Sequence, residues 1–82
     1  MNVRKQCYGT SNIVGKTIER LRKERGIAQK DFIAQLQSKG LDINPTSYSK
    51  LEGQVRQAND RELLAIANLL KVQINDLYNK DQ

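Results

Sequence analysis

Apolar residues in this chain recur at helical spacing, and this pattern constrains the fold more than any other feature of the sequence. Val14, Ile18 and Leu21 lie at positions i, i+4 and i+7, which places them on one face of a helix. No stretch alternates apolar and polar residues with the β-branched enrichment of a half-buried strand. The sequence therefore predicts an all-α fold whose core is built from the apolar faces of helices.

Capping residues divide the chain into its predicted helices. Asn44 is a good N-cap, and Pro45 behind it favours the first turn of a helix that stops at Gly53. Asn59 and Glu62 have the spacing of a capping box at the start of the next helix. The first two helices each end before a glycine suited to the left-handed C′ position, at Gly26 and at Gly40. The pattern predicts five helices, which cover residues 13–25, 29–39, 45–52, 59–70 and 75–79.

The composition excludes several classes of protein. Eighty-two residues fit one small domain, and no apolar run approaches the roughly 20 residues that span a bilayer. A chain with one cysteine and no histidine forms neither an internal disulfide nor a zinc finger nor a His-based catalytic site. No metal, no cofactor and no enzymatic activity are therefore expected, and the cysteine usage favours a cytoplasmic compartment.

The net charge of +5 is unevenly distributed along the chain. Residues 1–12 carry +2 and residues 13–25 carry +3, whereas residues 60–82 carry −1. This asymmetry favours a polyanionic partner, usually nucleic acid, and a solvated basic helix is the alternative that composition leaves open. Residues 1–12 are predicted to form a flexible basic arm, with Cys7 as a free thiol, ahead of a domain at residues 13–80.

Three stretches of the sequence resemble one known family. They read VGKTIERLRKERGIAQKDFIAQL, INPTSYSKLEG and RELLAIANLLKVQINDLY, and in this order they are similar to the helix-turn-helix domain of the Cro and phage-repressor (Xre-type) family. The shared features are an Arg-rich first helix, a Gln that opens the second, a Ser-x-x-Glu-Gly ending of the third and a Leu-rich fourth. The resemblance implies a compact, lambda-repressor-like bundle of five α-helices that binds duplex DNA sequence-specifically, usually as a dimer on two half-sites.

The resemblance assigns contact roles to residues on and around the third helix. Four positions match those that face base edges in the family, namely Pro45, Thr46, Ser49 and Lys50. Lys50 can donate to guanine and the Thr46 methyl can touch a thymine methyl, whereas Pro45 is equally explained as a helix starter and Ser49 as a solvated surface residue. Five positions match phosphate contacts, with an ordinary helix start or surface loop as the alternative: Gln29, Ser47, Gln54, Arg56 and Gln57. In the family, the residue at the Gln29 position also props a residue of the recognition helix.

Arg22 and Glu52 match a buried ion pair of the family, which implies that the first helix is tied to the end of the third. Such a pair fixes geometry more than it adds stability. The connection between the second and third helices is longer than in the family, because six residues, 37–42, separate Leu36 from Ile43. The second helix is therefore expected to extend by a turn and to end at Gly40, with Leu41 packed on the core.

The leading interpretation is a DNA-binding transcriptional regulator, a repressor of the phage or mobile-element kind that acts on DNA in the bacterial cytoplasm. The alternative is an antitoxin or anti-repressor whose helices bind a partner protein. Three cap positions depart from the family, Ala28, Lys71 and Gln73, and each lost cap costs about 1 kcal/mol. Dimerisation would offset this loss, unless the apolar C-terminal residues complete the monomer core; the candidates are Val72, Ile74, Leu77 and Tyr78.

Overall fold

A computed structural model describes residues 9–78, which fold into helices without a strand among them. The elements are α1 (Gly15–Glu24), α2 (Gln29–Ser38), α3 (Pro45–Glu52), α4 (Asp60–Leu70) and a terminal 3₁₀ helix (Ile74–Tyr78). The all-α prediction is confirmed. The prediction of five α-helices is wrong, because the described part of the chain has four, and a 3₁₀ helix stands where the fifth was expected. A segment this short supports only one tight turn.

The buried faces of the elements meet in one core. Phe32 of α2 and Tyr48 of α3 are both fully buried, with ring centroids 5.7 Å apart and planes tilted by 54°. Leu77 of the 3₁₀ helix is also fully buried, so this helix closes the core from its C-terminal side. The remaining fully or almost fully buried apolar side chains are Val14, Ile18, Ile33, Leu36, Ile43, Leu51, Ile66, Ala67 and Leu70.

The predicted caps of α3 and α4 are confirmed. The Asn44 side chain accepts the backbone N–H of Ser47 at 2.8 Å, and Pro45 is the first residue of α3. The Asn59 side chain accepts the Glu62 N–H at 2.8 Å, and the Glu62 carboxylate accepts the Asn59 N–H at 3.0 Å. These local bonds satisfy donors that every helix start leaves unpaired, and they fix where the two helices begin.

The end of α3 agrees with its prediction, because Gly53 follows the last helical residue, Glu52. Gly26 and Gly40 have the expected positive φ, at 69° and 94°, but Gly53 has a right-handed φ of −78°. The left-handed position after α3 is occupied one residue later by Gln54, with φ 63°. The Gln54 carbonyl accepts the Ser11 N–H at 2.9 Å and the Gln54 side chain donates to the Asn12 carbonyl at 2.9 Å, so distant contacts hold this conformation.

The chain before α1 is bound to the end of α3. The Asn12 amide nitrogen donates to the carbonyls of Leu51 at 3.0 Å and Arg56 at 2.8 Å, while its oxygen accepts the Val14 and Gly15 N–H groups. α1 therefore begins at Gly15 and not at residue 13. Of the predicted arm, residues 9–12 lie here; Arg4, Lys5 and Cys7 lie outside the described residues.

Gly15 lets α1 approach α3 closely. A Cβ at this position would lie 2.4 Å from the Leu51 carbonyl oxygen and 2.6 Å from that of Glu52. Both neighbours are backbone atoms, so any larger residue would push the two helices apart. The crossing therefore sets the distance between the first helix and the end of the third.

The connection between α2 and α3 is held by local bonds. The Leu41 N–H donates to the Leu36 carbonyl at 3.1 Å after the turn at Gly40, and Leu41 packs against the core. The Gln37 side chain donates to the Ile43 carbonyl at 2.8 Å. The inserted segment thus folds back on α2 and leads directly into the Asn44 cap. None of the helices in residues 9–78 is long and apolar enough to cross a bilayer.

Candidate nucleic-acid interface

The exposed face of α3 is small, polar and free of carboxylates. The four residues predicted to contact bases all lie on it and are solvent-exposed: Pro45, Thr46, Ser49 and Lys50. Lys50 supplies the one positive charge of the helix, and Ser47 at its edge is half-buried. A face without bulk or negative charge can approach an anionic groove closely. The structure therefore brings these residues together as a possible reading surface.

The opposite side of α3 is organised around the carboxylate of Glu52, which accepts four hydrogen bonds. Arg22 donates from Nε to Oε2 at 2.7 Å and from Nη2 to Oε1 at 3.2 Å. The Tyr48 phenol donates to Oε2 at 2.5 Å, and the Gln29 amide donates to Oε1 at 3.1 Å. We refer to Glu52, Arg22, Tyr48 and Gln29 as the Glu52 cluster. It joins α1, α2 and α3.

The Glu52 cluster contains the ion pair that the resemblance implied. The Arg22 and Glu52 side chains are only 7% and 5% exposed. The hydrogen bonds to Glu52, together with its charge, raise the pKa of Arg22 although burial opposes this. Burial, followed by the charge of Glu52, raises the pKa of the Tyr48 phenol. Both donors therefore keep their protons, and the carboxylate remains fully hydrogen-bonded.

Gln29 connects this buried cluster to the surface. Its amide nitrogen donates to Glu52, while its amide oxygen accepts the Ser49 hydroxyl at 3.2 Å. Gln29 is the first residue of α2, whose N-cap residue Ala28 makes no side-chain cap bond. An uncapped helix N-terminus carries partial positive charge and favours an anion. Gln29 thus joins the exposed face of α3 to an anion-favouring helix start.

Arg56, predicted as a phosphate contact, has a different set of partners. Its guanidinium donates to both Glu62 oxygens at 3.0 and 2.8 Å, to the Ser47 carbonyl at 2.9 Å and to the Gln57 carbonyl at 2.7 Å. We refer to Glu62, Arg56 and Asn59 as the Glu62 cluster. Arg56 therefore fastens the loop after α3 to both α3 and α4. Sequence reasoning missed this pair, although the capping-box spacing of Glu62 marks a carboxylate close to the loop.

The charge state of Glu62 follows from its surroundings. Burial alone would raise its pKa, but the hydrogen bonds from Arg56, the Asn59 N–H and the charge of Arg56 together lower the pKa of Glu62. The carboxylate is therefore held in its charged form. Of the other loop residues predicted to contact phosphate, Gln54 donates its amide to Asn12, whereas Gln57 is exposed.

The C-terminal residues predicted as a dimer surface divide into two groups. Leu77 is fully buried and Val72 packs against the core, so these two complete the monomer. Ile74 and Tyr78 are 38% and 41% exposed. The alternative that the sequence left open, a role in the monomer core, therefore applies to Leu77 and Val72. Only the exposed pair remains for an intermolecular surface.

Comparison with known families finds a match over most of the chain. A family model described as a Cro/C1-type HTH DNA-binding domain matches residues 17–81, which include most of α1 and every later helix. Comparison with curated proteins and with solved structures gives no significant match. Within residues 9–78, no three His, Cys, Asp or Glu side chains are grouped so as to hold a metal ion.

Proposed function

The chain belongs to the Cro/C1-type helix-turn-helix DNA-binding family, and from this premise we propose that it is a sequence-specific transcriptional repressor. In this proposal α3 enters the major groove of duplex DNA. The observation that carries the proposal is the exposed face of α3, which combines four small or flexible side chains with no carboxylate. Binding to chromosomal or phage DNA places the protein in the cytoplasm, at the nucleoid.

The proposed base contacts come from the exposed face. Lys50 donates to guanine O6 and N7, and the Thr46 methyl packs on a thymine methyl. Ser49 lies beside them, and Pro45 contributes apolar contact at the start of the helix. Because Glu52 and Tyr48 anchor the opposite side of α3, the reading side chains project from a fixed backbone.

The proposed phosphate contacts come from Gln29, Ser47 and Gln57. Gln29 brings the uncapped N-terminus of α2 with it, and backbone N–H groups at a helix start bind phosphate well. We propose a positioning role for Arg56 and Gln54 instead, because their side chains already bind groups of the protein. The Gln29 side chain also binds Glu52 and Ser49, so the phosphate contact proposed at Gln29 comes from the backbone N–H groups of the α2 N-terminus.

Family members usually bind an operator with two half-sites, and we propose the same for this protein. The exposed Ile74 and Tyr78 are the proposed homodimer contacts. A protein that dimerises through them has a mass and melting temperature that depend on concentration. Concentration-independent values would exclude a stabilising dimer without affecting DNA binding by the monomer.

The proposed function is tested by selection from random duplexes, followed by affinity measurements across salt. A domain that neutralises about five phosphates loses affinity with a log–log slope of about −4 to −5. Lys50→Ala should weaken binding and relax one base preference, by about 5- to 100-fold for a good bidentate contact. Lys39→Ala, an exposed lysine at the end of α2, is the matched control. Affinity insensitive to salt, or enrichment of no sequence, would exclude a DNA-binding repressor.

One surface supports the alternative function, an antitoxin-like or anti-repressor-like protein that binds a partner. A cavity of about 480 Å³ lies between α4 and the end of α2, lined among others by Leu41, Leu64 and Arg61. Leu64 is 52% exposed in the middle of α4, and exposed apolar groups beside a hollow are typical of protein-binding sites. A Leu64→Ser variant that keeps DNA affinity but loses regulation in cells would support this second function.

A further inference from the structure

We propose that Ser49 reads DNA as a hydrogen-bond acceptor, and that Gln29 is the positioning residue that fixes this polarity. The inference rests on the proposed insertion of α3 in the major groove. It starts from a continuous series of hydrogen bonds that runs from the buried Glu52 carboxylate, through the Gln29 amide, to the exposed Ser49 hydroxyl.

The first step concerns the orientation of the Gln29 amide. A carboxylate only accepts hydrogen bonds, and Glu52 is paired as a carboxylate with Arg22. The group that Gln29 presents to Glu52 at 3.1 Å must therefore be its NH₂. The reversed amide would place two oxygens, both acceptors, against each other in a partly buried setting.

The second step concerns the Ser49 hydroxyl. Because the NH₂ of Gln29 faces Glu52, the amide oxygen faces Ser49, 3.2 Å from its Oγ. This oxygen only accepts, so the hydroxyl must donate its proton to it. A serine hydroxyl has one proton and two lone pairs. Ser49 therefore offers only lone pairs to a ligand on its exposed side.

The third step concerns the bases. In the major groove, an acceptor pairs with the amino group of adenine N6 or cytosine N4, and is repelled by guanine O6 and thymine O4. The neighbouring Lys50 has the opposite polarity, since an ammonium group only donates. Ser49 thus recognises donors and Lys50 recognises acceptors. A serine hydroxyl that is free to rotate would not distinguish amino groups from keto groups.

The inference is tested with duplexes from which single groups have been removed. Selection from random duplexes first identifies the position where Ser49→Ala loses its base preference. At that position, purine replaces adenine, or 2-pyrimidinone replaces cytosine, so that only the amino group is removed. Wild type should bind the deleted duplex about three- to tenfold more weakly, and Ser49→Ala should bind both duplexes equally.

The positioning role of Gln29 is tested by its own substitution. Gln29→Ala leaves the hydroxyl able to accept but also frees it to donate to a keto oxygen, so the ratio of affinities for duplexes with an amino base and with a keto base at this position should fall below about twofold. If Gln29 also binds a phosphate, its removal weakens both duplexes alike, and that effect cancels in the ratio of their affinities. Gln35→Ala, an exposed glutamine of the same helix, is the matched control and should keep the wild-type ratio. Thermal melting of each variant shows whether it is folded.

Three outcomes would overturn the inference while leaving DNA binding intact. In the first, Ser49→Ala changes no base preference. In the second, wild-type binding is weakened by removal of a keto oxygen and not of an amino group. In the third, Gln29→Ala keeps the full wild-type ratio of affinities. Failure to enrich any duplex is a different result, since it overturns the proposed function and the polarity of Ser49 with it.

Discussion

Two buried carboxylates, one at the end of α3 and one in the first turn of α4, each accept two hydrogen bonds from one arginine. Glu52 is bound by Arg22 at 2.7 and 3.2 Å, and Glu62 is bound by Arg56 at 3.0 and 2.8 Å. The chemistry of the two pairs is the same. Their range along the chain differs, because Arg22 and Glu52 are 30 positions apart whereas Arg56 and Glu62 are six apart.

This difference separates two tasks. The Glu52 cluster joins three helices, so it fixes the orientation of α3 relative to α1 and α2. The Glu62 cluster joins a loop to the start of α4 and, through the Ser47 carbonyl, to the outer edge of α3. The first pair is also drier, with side chains 7% and 5% exposed against 24% and 7% for the second. A long-range pair in a dry setting positions a helix, whereas a local, partly hydrated pair shapes a loop.

Of the substitutions in the two clusters, Arg22→Ala should lower the free energy of unfolding most. Loss of the guanidinium leaves the Glu52 charge buried without its ion-pair partner and removes the bond to the Ile27 carbonyl. Breaking a buried pair from one side costs about 3–5 kcal/mol, which is a large share of the stability of a small domain. The free energy of unfolding in urea measures the loss.

A surface pair on the same helix provides the control for Arg22. Lys23 and Glu19 form an ion pair whose side chains are 64% and 23% exposed. Lys23→Ala should therefore cost no more than about 0.5 kcal/mol, because exposed pairs are screened by solvent. If the two substitutions changed the unfolding free energy equally, the buried pair would not hold α1 against α3. Wild-type melting and operator affinity in Arg22→Ala would have the same meaning.

Arg56→Ala should have the second-largest effect. It removes four hydrogen bonds, but the Asn59 N–H still binds Glu62 and solvent can reach the loop. We expect a loss of about 1–3 kcal/mol, below that of Arg22→Ala. Arg61→Ala, an exposed arginine on α4, should change stability by no more than about 0.5 kcal/mol.

The salt dependence of DNA binding tests the role of Arg56 independently of its effect on stability. Removal of a side chain that binds phosphate reduces the log–log slope by about 1. Because the Arg56 guanidinium is bound to Glu62 and two carbonyls, we expect Arg56→Ala to keep the wild-type slope. If Arg56→Ala reduced the slope by about one unit, the result would support the phosphate contact that the family resemblance implied.

Local signals were sufficient to predict where α3 and α4 begin. Asn44 with Pro45, and Asn59 with Glu62, act within four residues of each other, so the starts of α3 and α4 follow from the sequence. The 3₁₀ form of the last helix was not predicted from the sequence. It begins at a tight turn in which the Asp76 carboxylate accepts the Gln73 N–H. Apolar spacing alone does not distinguish this turn from a short α-helix.

Features that depend on distant partners were not predictable from local patterns. The Asn12 side chain binds carbonyls 39 and 44 positions away, and no spacing rule indicates such contacts. The same segment holds Gln54 in a left-handed backbone conformation just after α3. The Arg22–Glu52 pair was expected only because the chain resembles a family. The sequence alone does not indicate that a loop arginine such as Arg56 binds the carboxylate of Glu62.

Tyr48→Phe probes one bond of the Glu52 cluster without opening the core. The ring keeps its place against Phe32, and Glu52 keeps the donors from Arg22 and Gln29. Loss of one hydrogen bond to a carboxylate should lower the unfolding free energy by about 1.5 kcal/mol. Tyr78→Phe, at a tyrosine that is 41% exposed, should leave the unfolding free energy unchanged. If both variants lost the same free energy of unfolding, the bond from the Tyr48 phenol to Glu52 would not contribute to stability.

The smallest effect should be in the pH dependence of the Glu62 cluster, because burial opposes the groups that lower the pKa of Glu62. A carboxylate whose pKa is lower in the folded state stabilises the protein above its unfolded pKa. This stabilisation is lost as pH falls through the folded value. The ordinary glutamate value is 4.5, so the loss begins near that pH and continues below it. Urea unfolding between about pH 6 and pH 3 measures it.

The Glu62→Gln variant isolates this effect from other carboxylates that titrate in the same range. It has no charge to lose at this position, so its stability should fall less steeply on acidification than that of wild type. Arg56→Ala should reduce the difference, since the hydrogen bond from Arg56 is the strongest influence that lowers the pKa of Glu62. Equal losses in wild type and Glu62→Gln would mean that burial cancels the hydrogen bonds. The Arg56–Glu62 pair would then shape the loop without contributing to the pH dependence of stability.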